Sequence, residues 1–152
     1  MILKSDSPIA RILERCRTIA VVGLSANPAR PSYGVAQYMQ AHGYRIIPVN
    51  PTILNGASIL GEKCYPSLSL AAAHEKFDLV NCFRNSADIP PIVDEAVALI
   101  ALAGIQAVWM QQGISHAQAA ATAEAAGLVV VQDRCLKIEH RSWAKLKAIG
   151  LG

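Results

Sequence analysis

The chain has 152 residues, of which 53% are hydrophobic and 16% charged, with a net charge of +3 and a mean hydropathy of +0.31. That length suits one domain with its own core, and the apolar content excludes a disordered chain, which is poor in hydrophobic residues. No run approaches the ~18 apolar residues that span a bilayer, and no basic stripe with interleaved aromatics points to nucleic acid, so the apolarity suits a sheet buried on both faces.

Ser7-Pro8 marks a helix start, and Ile9, Ile12, Leu13 and Cys16 carry a short amphipathic helix to Arg17. Thr18 to Gly23 is a compact apolar run and reads as the first strand. A loop rich in Ser, Asn and Pro follows, and Ser32 is placed to cap a helix that Gly43 ends. Arg45 to Pro51 is the second strand, and its internal Pro48 suits an edge position. Residues 52–76 are the least regular stretch, with a short helix around Leu70 to Glu75. Phe77 to Phe83 is the third strand. Asp88 with Pro90 and Pro91 then opens a helix carried by Ile92, Val93, Ala96 and Val97. Ile105 to Met110 is the fourth strand. Ser115-x-x-Gln118 has the form of a capping box on an alanine-rich helix, and Leu128 to Gln132 is the fifth strand.

The alternation predicts an α/β fold: a single Rossmann-like, doubly wound domain of about five parallel strands, with helices on both faces. The expected strand order is 3-2-1-4-5, with the ligand site at the carboxyl ends, between strands one and four. The chain divides into an N-terminal helix (1–17), the nucleotide-binding domain (18–140) and a basic tail (141–152). Charge follows that division. Residues 18–133 hold five basic and eight acidic groups, whereas residues 134–152 hold five basic and one acidic. The four cysteines Cys16, Cys64, Cys82 and Cys135 form no C-x-x-C pair, and no metal-binding cluster stands out. With no secretory signal evident, a cytoplasmic location is expected.

The first candidate for chemistry is the loop after strand one, Gly23-Leu24-Ser25-Ala26-Asn27. Gly23 allows close backbone approach. Ser25, Asn27 and Ser32 offer hydrogen bonds, and Arg30 offers a charge for phosphate. A polar connection without a ligand is the competing reading. The G-x-G-x-x-G fingerprint is absent, since Ser25 stands at its second glycine. The second strand ends in Asn50-Pro51, not in an acid that would hold a ribose hydroxyl. The usual nicotinamide readout is therefore missing. Arg84 directly follows the third strand, at its ligand end, where a salt bridge competes with a phosphate contact. Asn50 competes as a turn cap, and Phe83 as a core residue.

Several segments in order resemble the family of stand-alone CoA-binding proteins, similar to the N-terminal CoA-binding domain of the succinyl-CoA synthetase alpha subunit. They are Ile19-Ala20-Val21-Val22-Gly23-Leu24-Ser25, Arg30-Pro31-Ser32-Tyr33-Gly34-Val35, Gly43 to Pro51, Leu60-Gly61-Glu62, Asp78 to Arg84, Val108 to Gly113, and Asp133-Arg134-Cys135. The resemblance spans about residues 9 to 140. It implies binding of CoA or an acyl-CoA at the strand ends, by a module that is non-catalytic or regulatory. Gly23, Ser25, Asn27, Arg30 and Ser32 would then meet phosphates, and Asn50 and Pro51 would line the adenosine side. Phe83, Arg84 and Asn85 would sit across the switch point, and Gln111, Gln112 and Gly113 would close the pantetheine side. Gly34 departs from more basic relatives, and Met110-Gln111-Gln112-Gly113 departs from a single glutamine followed by an apolar residue.

The resemblance nominates no catalytic residue. Of the four histidines only His116 follows a candidate loop, and Cys82 and Cys135 lie where a thiol could approach that of CoA. The alternatives are a nicotinamide oxidoreductase, a partner subunit of an acyl-CoA ligase, and an interaction protein whose basic tail, with Trp143 and Leu146, makes the contact. Monomer, homodimer and an unidentified protein partner all stay open.

Overall fold

The computed structural model describes residues 7–150. Five parallel strands form the sheet: β1 (Thr18–Val22), β2 (Arg45–Val49), β5 (Leu79–Cys82), β6 (Ala107–Met110) and β7 (Val129–Val131). A small antiparallel hairpin, β3 (Ser58–Ile59) and β4 (Glu62–Lys63), occupies part of the stretch that the sequence leaves irregular. Helices α1 (Pro8–Arg15), α2 (Pro31–Ala41) and α6 (Leu136–Ala148) share one core cluster with one face of the sheet. Helices α3 (Leu68–Ala72), α4 (Ile89–Ala98) and α5 (Ala117–Ala125) share a second cluster with the other. This is the expected single, doubly wound α/β domain.

The strand order is β2-β1-β5-β6-β7. Counting only the five long strands, it is 2-1-3-4-5, which corrects the expected 3-2-1-4-5. The expected order would leave the third strand at an edge. Instead β5 is buried at all four positions and pairs with β1 on one side and β6 on the other. The edge belongs to β2, as Pro48 suggested. The Pro48 carbonyl points away from β1 and accepts from the Tyr65 N–H at 3.0 Å. Its nitrogen faces the same way, so the missing N–H removes no bond between β1 and β2. The switch point therefore lies between β1 and β5, not between strands one and four.

Two caps differ from expectation. The N-cap of α2 is Arg30, with no side-chain cap bond, and Ser32 lies inside the first turn. The N-cap of α5 is His116, whose Nδ1 accepts from Ala119 N at 3.1 Å, so Ser115 is not the capping residue. At the other end of the chain, α6 continues from Leu136 across residue 141 to Ala148, with His140 and Trp143 buried. Among the described residues no helix is long and apolar enough to cross a membrane, and no cluster of three metal-ligating side chains occurs.

Candidate functional site

The carboxyl ends of three strands converge on Gly23. Its N–H donates to Val49 O at 2.7 Å, while Phe83 N donates to Val22 O at 2.8 Å. Gly23 has φ +91°, and a Cβ there would lie 2.8 Å from Phe83 O and 3.0 Å from the Arg84 Cδ. Glycine is thus required twice, by the left-handed backbone and by the close approach of the β5 end.

From Gly23 the chain winds into α2 through short local bonds. Ser25 N donates to the Ser32 hydroxyl at 3.0 Å, Asn27 N to the Ser25 hydroxyl at 3.0 Å, and Ala29 N to the Asn27 Oδ1 at 3.0 Å. These bonds fix the loop and aim the start of α2 at the strand ends. Pro31, at the first helical position, has no N–H to satisfy.

The loop and the end of β5 enclose an open cleft of about 390 Å³, lined by Gly23, Ser25, Arg30, Pro31, Ser32, Phe83 and Arg84. Six residues singled out in the sequence therefore meet in one place. No carboxylate lines this cleft. Arg30 is exposed and forms no salt bridge among the described residues. It stands at the positive end of an 11-residue helix, where a cation is disfavoured and an anion favoured. Arg84 contacts Asp88 only loosely, through Nε at 3.7 Å, with both side chains more than a third exposed. The salt bridge weighed for Arg84 is present, but one exposed pair at this distance holds a guanidinium weakly.

A second cleft of about 190 Å³ opens beside the first, lined by Val22, Val49, Pro51, Leu68, Arg84 and Ile92 among others. Arg84 lines both. Most of its other walls, Pro66, Ser67, Leu68, Ile92 and Glu95, escaped the sequence reading. The one available signal was Asp88, which follows Arg84 by four residues and contacts its guanidinium.

The remaining candidates lie outside both linings. Asn50 is buried, its amide donating to Leu24 O at 3.0 Å and accepting from Thr52 N and Oγ1 at 2.9 and 2.7 Å. It pins the two loops together, which is the turn-capping role weighed against a ligand contact. Asn27 and Asn85 are exposed, and Asn85 precedes a short 3-10 turn. Gln111 is buried and accepts from Leu136 N at 3.3 Å, so it caps α6. Gln112 is exposed, and Gly113 N donates to Asp133 Oδ1 at 2.7 Å. Cys82 is fully buried, and that burial pushes its thiol up to about 12, so it offers no thiolate at neutral pH. Cys135 is half-buried at the N-cap of α6. His116 is committed to its cap.

The arrangement can bind an anion at a helix start, with two guanidinium groups and the Ser25 and Ser32 hydroxyls around it. Comparison with known proteins agrees in kind. The family described as "CoA binding domain" matches residues 17–141. "Uncharacterized protein YneT" of Bacillus subtilis (strain 168) is 39% identical over 136 residues, covering 90% of this chain and 94% of that protein. Among solved structures, a hypothetical protein from Pyrococcus horikoshii OT3 superposes with a TM-score of 0.80 at 32% identity, covering 95% of this chain and 96% of its own. The dinucleotide-forming acetyl-coenzyme A synthetase 1 of Ca. Korarchaeum cryptofilum is similar with a TM-score of 0.64 at 22% identity, covering 80% of this chain and 27% of its own. That last likeness is one of fold alone.

Proposed function

The chain belongs to the CoA binding domain family, and on that premise we propose that it binds CoA or an acyl-CoA at the β1/β5 switch point, as a binding module without chemistry of its own. The observation that carries this reading is the larger cleft. It joins Gly23, the start of α2, Arg30 and Arg84, with no carboxylate in its lining. CoA presents a pyrophosphate and a 3′-phosphate, which need such a lining. In this reading Gly23, Ser25, Arg30, Ser32 and Arg84 meet the phosphates, and Pro51 in the smaller cleft meets the adenosine. Asn27, Asn50, Asn85, Gln111, Gln112 and Gly113 shape the surrounding loops. The four cysteines, all free thiols, suit a cytoplasmic protein.

A nicotinamide site is less well supported. The end of β2 offers Asn50, whose amide is already engaged, and no acid for a ribose diol. The test is a thermal shift against CoA, acetyl-CoA, NAD, NADP and AMP. A ligand at about 100 times its Kd adds about 2.7 kcal/mol of stability. CoA and acetyl-CoA are expected to raise the melting temperature most. A shift with NAD and none with CoA would overturn the reading.

A further inference from the structure

The two edges of the sheet are finished differently. β2, at one edge, opens on Arg45 and contains Pro48, which has no N–H. Its outer side is also taken, since Pro48 O accepts from Tyr65 N at 3.0 Å and Asn50 N donates to Tyr65 O at 2.9 Å. Charge, proline and a covering segment are the usual guards of an edge strand. β7, at the other edge, is Val129-Val130-Val131, and residues 125–132 carry no charge. Val129 N donates to Gln106 O at 3.1 Å, and β7 runs parallel to β6 with Val130 opposite Val108. Val129 and Val131 therefore turn their amides and carbonyls towards β6, and Val130 turns both outward. The Val130 N–H and C=O, the Leu128 C=O and the Gln132 N–H make no hydrogen bond among the described residues. Val130 and Gln132 are half-buried.

These free groups read the same in both directions about Val130. We propose that the chain forms a two-fold dimer through β7, which joins its five-stranded sheet to that of a second copy. In that pairing each Val130 N–H meets the other Val130 C=O, and each Gln132 N–H meets the other Leu128 C=O. A three-residue strand alone buries far less than the about 1,200–2,000 Å² of a stable interface. An extended peptide from another protein would add little to it. A second copy also brings its own α5, which packs beside β7 in each protomer and so meets its equal across the axis. The surface of α5 suits that approach, because Ala121 and Ala125 are exposed and Glu124 is the one charge on the helix. On the other face of the sheet, Arg11 and Arg15 of α1 lie beside Val129. The axis brings these guanidinium groups of the two copies to one side, so the dimer tightens as salt screens them.

The test is sedimentation velocity from about 1 to about 500 μM, at low and high salt, on the wild type, Val130→Pro and Val130→Thr. The wild type is expected to pass from monomer to dimer, and salt to lower the Kd of dimerisation. Val130→Pro deletes the outward N–H and no bond to β6, and should raise that Kd at least about tenfold. Val130→Thr keeps the N–H and should dimerise as the wild type does. Hydrogen exchange on the wild type reads the same contact without a substitution. The Val130 and Gln132 amides should gain protection with concentration, while Val129, bonded to Gln106, is protected throughout. A chain that stays monomeric over the whole range would overturn the proposal. A dimer whose Val130 amide exchanges freely, or one that salt dissociates, would overturn it too, since its contact lies elsewhere. The CoA reading is tested separately and survives any of these outcomes.

Discussion

Both ends of the sheet carry a crevice with two arginines, and only one of them looks like a ligand site. At the amino ends, Arg11 and Arg15 of α1 border a crevice of about 50 Å³ with Cys16, Gln106 and Val129. At the carboxyl ends, Arg30 and Arg84 border one of about 390 Å³. The decisive difference beyond size is helix polarity. Arg15 lies in the last turn of α1, where the helix end is negative and a cation is stabilised. Arg30 lies at the first turn of α2, where it is opposed. One end is electrostatically settled, and the other favours an anion. Counting basic residues cannot make that distinction; the direction of the helices can.

The largest effect that would test the contrast is at Gly23. Gly23→Ala meets both a positive φ and a backbone oxygen at 2.8 Å, so it is expected to cost about 3 kcal/mol and to weaken ligand binding. Gly43, with φ +94° but open space around it, supplies the control. Gly43→Ala should cost only about 1 kcal/mol. Urea denaturation measures both, and equal losses would mean that crowding at the switch point does not matter.

The amino side has its own sensitive point. His140 of α6 is buried against Tyr38, Tyr44, Trp143 and His42, with its Nδ1 2.9 Å from the Tyr38 hydroxyl. Burial first, and His42 second, hold it down to about 4 from its usual 6.5. The unfolded chain therefore takes up a proton as pH falls through 6.5, while the folded one stays neutral until about pH 4. Its contribution is full above pH 6.5 and is lost on the way down to 4, by about 3 kcal/mol. His140→Phe should flatten the fall in stability between pH 7 and 4.5. An unaltered slope would place the acid sensitivity elsewhere.

Much of this contrast was legible in the sequence. Gly23, Arg30 and Arg84 could be nominated because charge is scarce in the body of the chain, and because strand ends are easily found. Pro48 marked an edge strand. The order of the strands was not legible, because periodicity shows that a segment is buried and not which neighbour covers it. Asn50 and Gln111 illustrate the same limit at the site. Each stands at a strand end with a polar side chain, and only the structure shows those amides turned to Leu24 and Leu136.

At the level of binding, Arg30→Ala and Arg84→Ala should each weaken CoA about tenfold, about 1.4 kcal/mol. Arg11→Ala and Arg15→Ala should leave it unchanged. Isothermal titration at fixed salt separates the pairs. An equal response from all four would reduce the contrast between the ends to general attraction of an anion.

The smallest effect tests the electrostatic argument itself. If Arg30 opposes the α2 dipole, replacing it with a good N-cap should stabilise the ligand-free protein. Arg30→Asp supplies an oxygen for the first-turn N–H groups and a favourable charge, together about 1 kcal/mol. Arg15→Ala removes a favourable charge at the end of α1 and should cost about 0.5 kcal/mol. The two changes delete the same residue type, and their signs should be opposite. Arg30→Asp should also abolish the rise in melting temperature with CoA, since it sets a carboxylate beside the phosphates. A ligand-free Arg30→Asp protein less stable than wild type would mean that Arg30 earns its place by packing, and the polarity contrast between the two ends would fall with it.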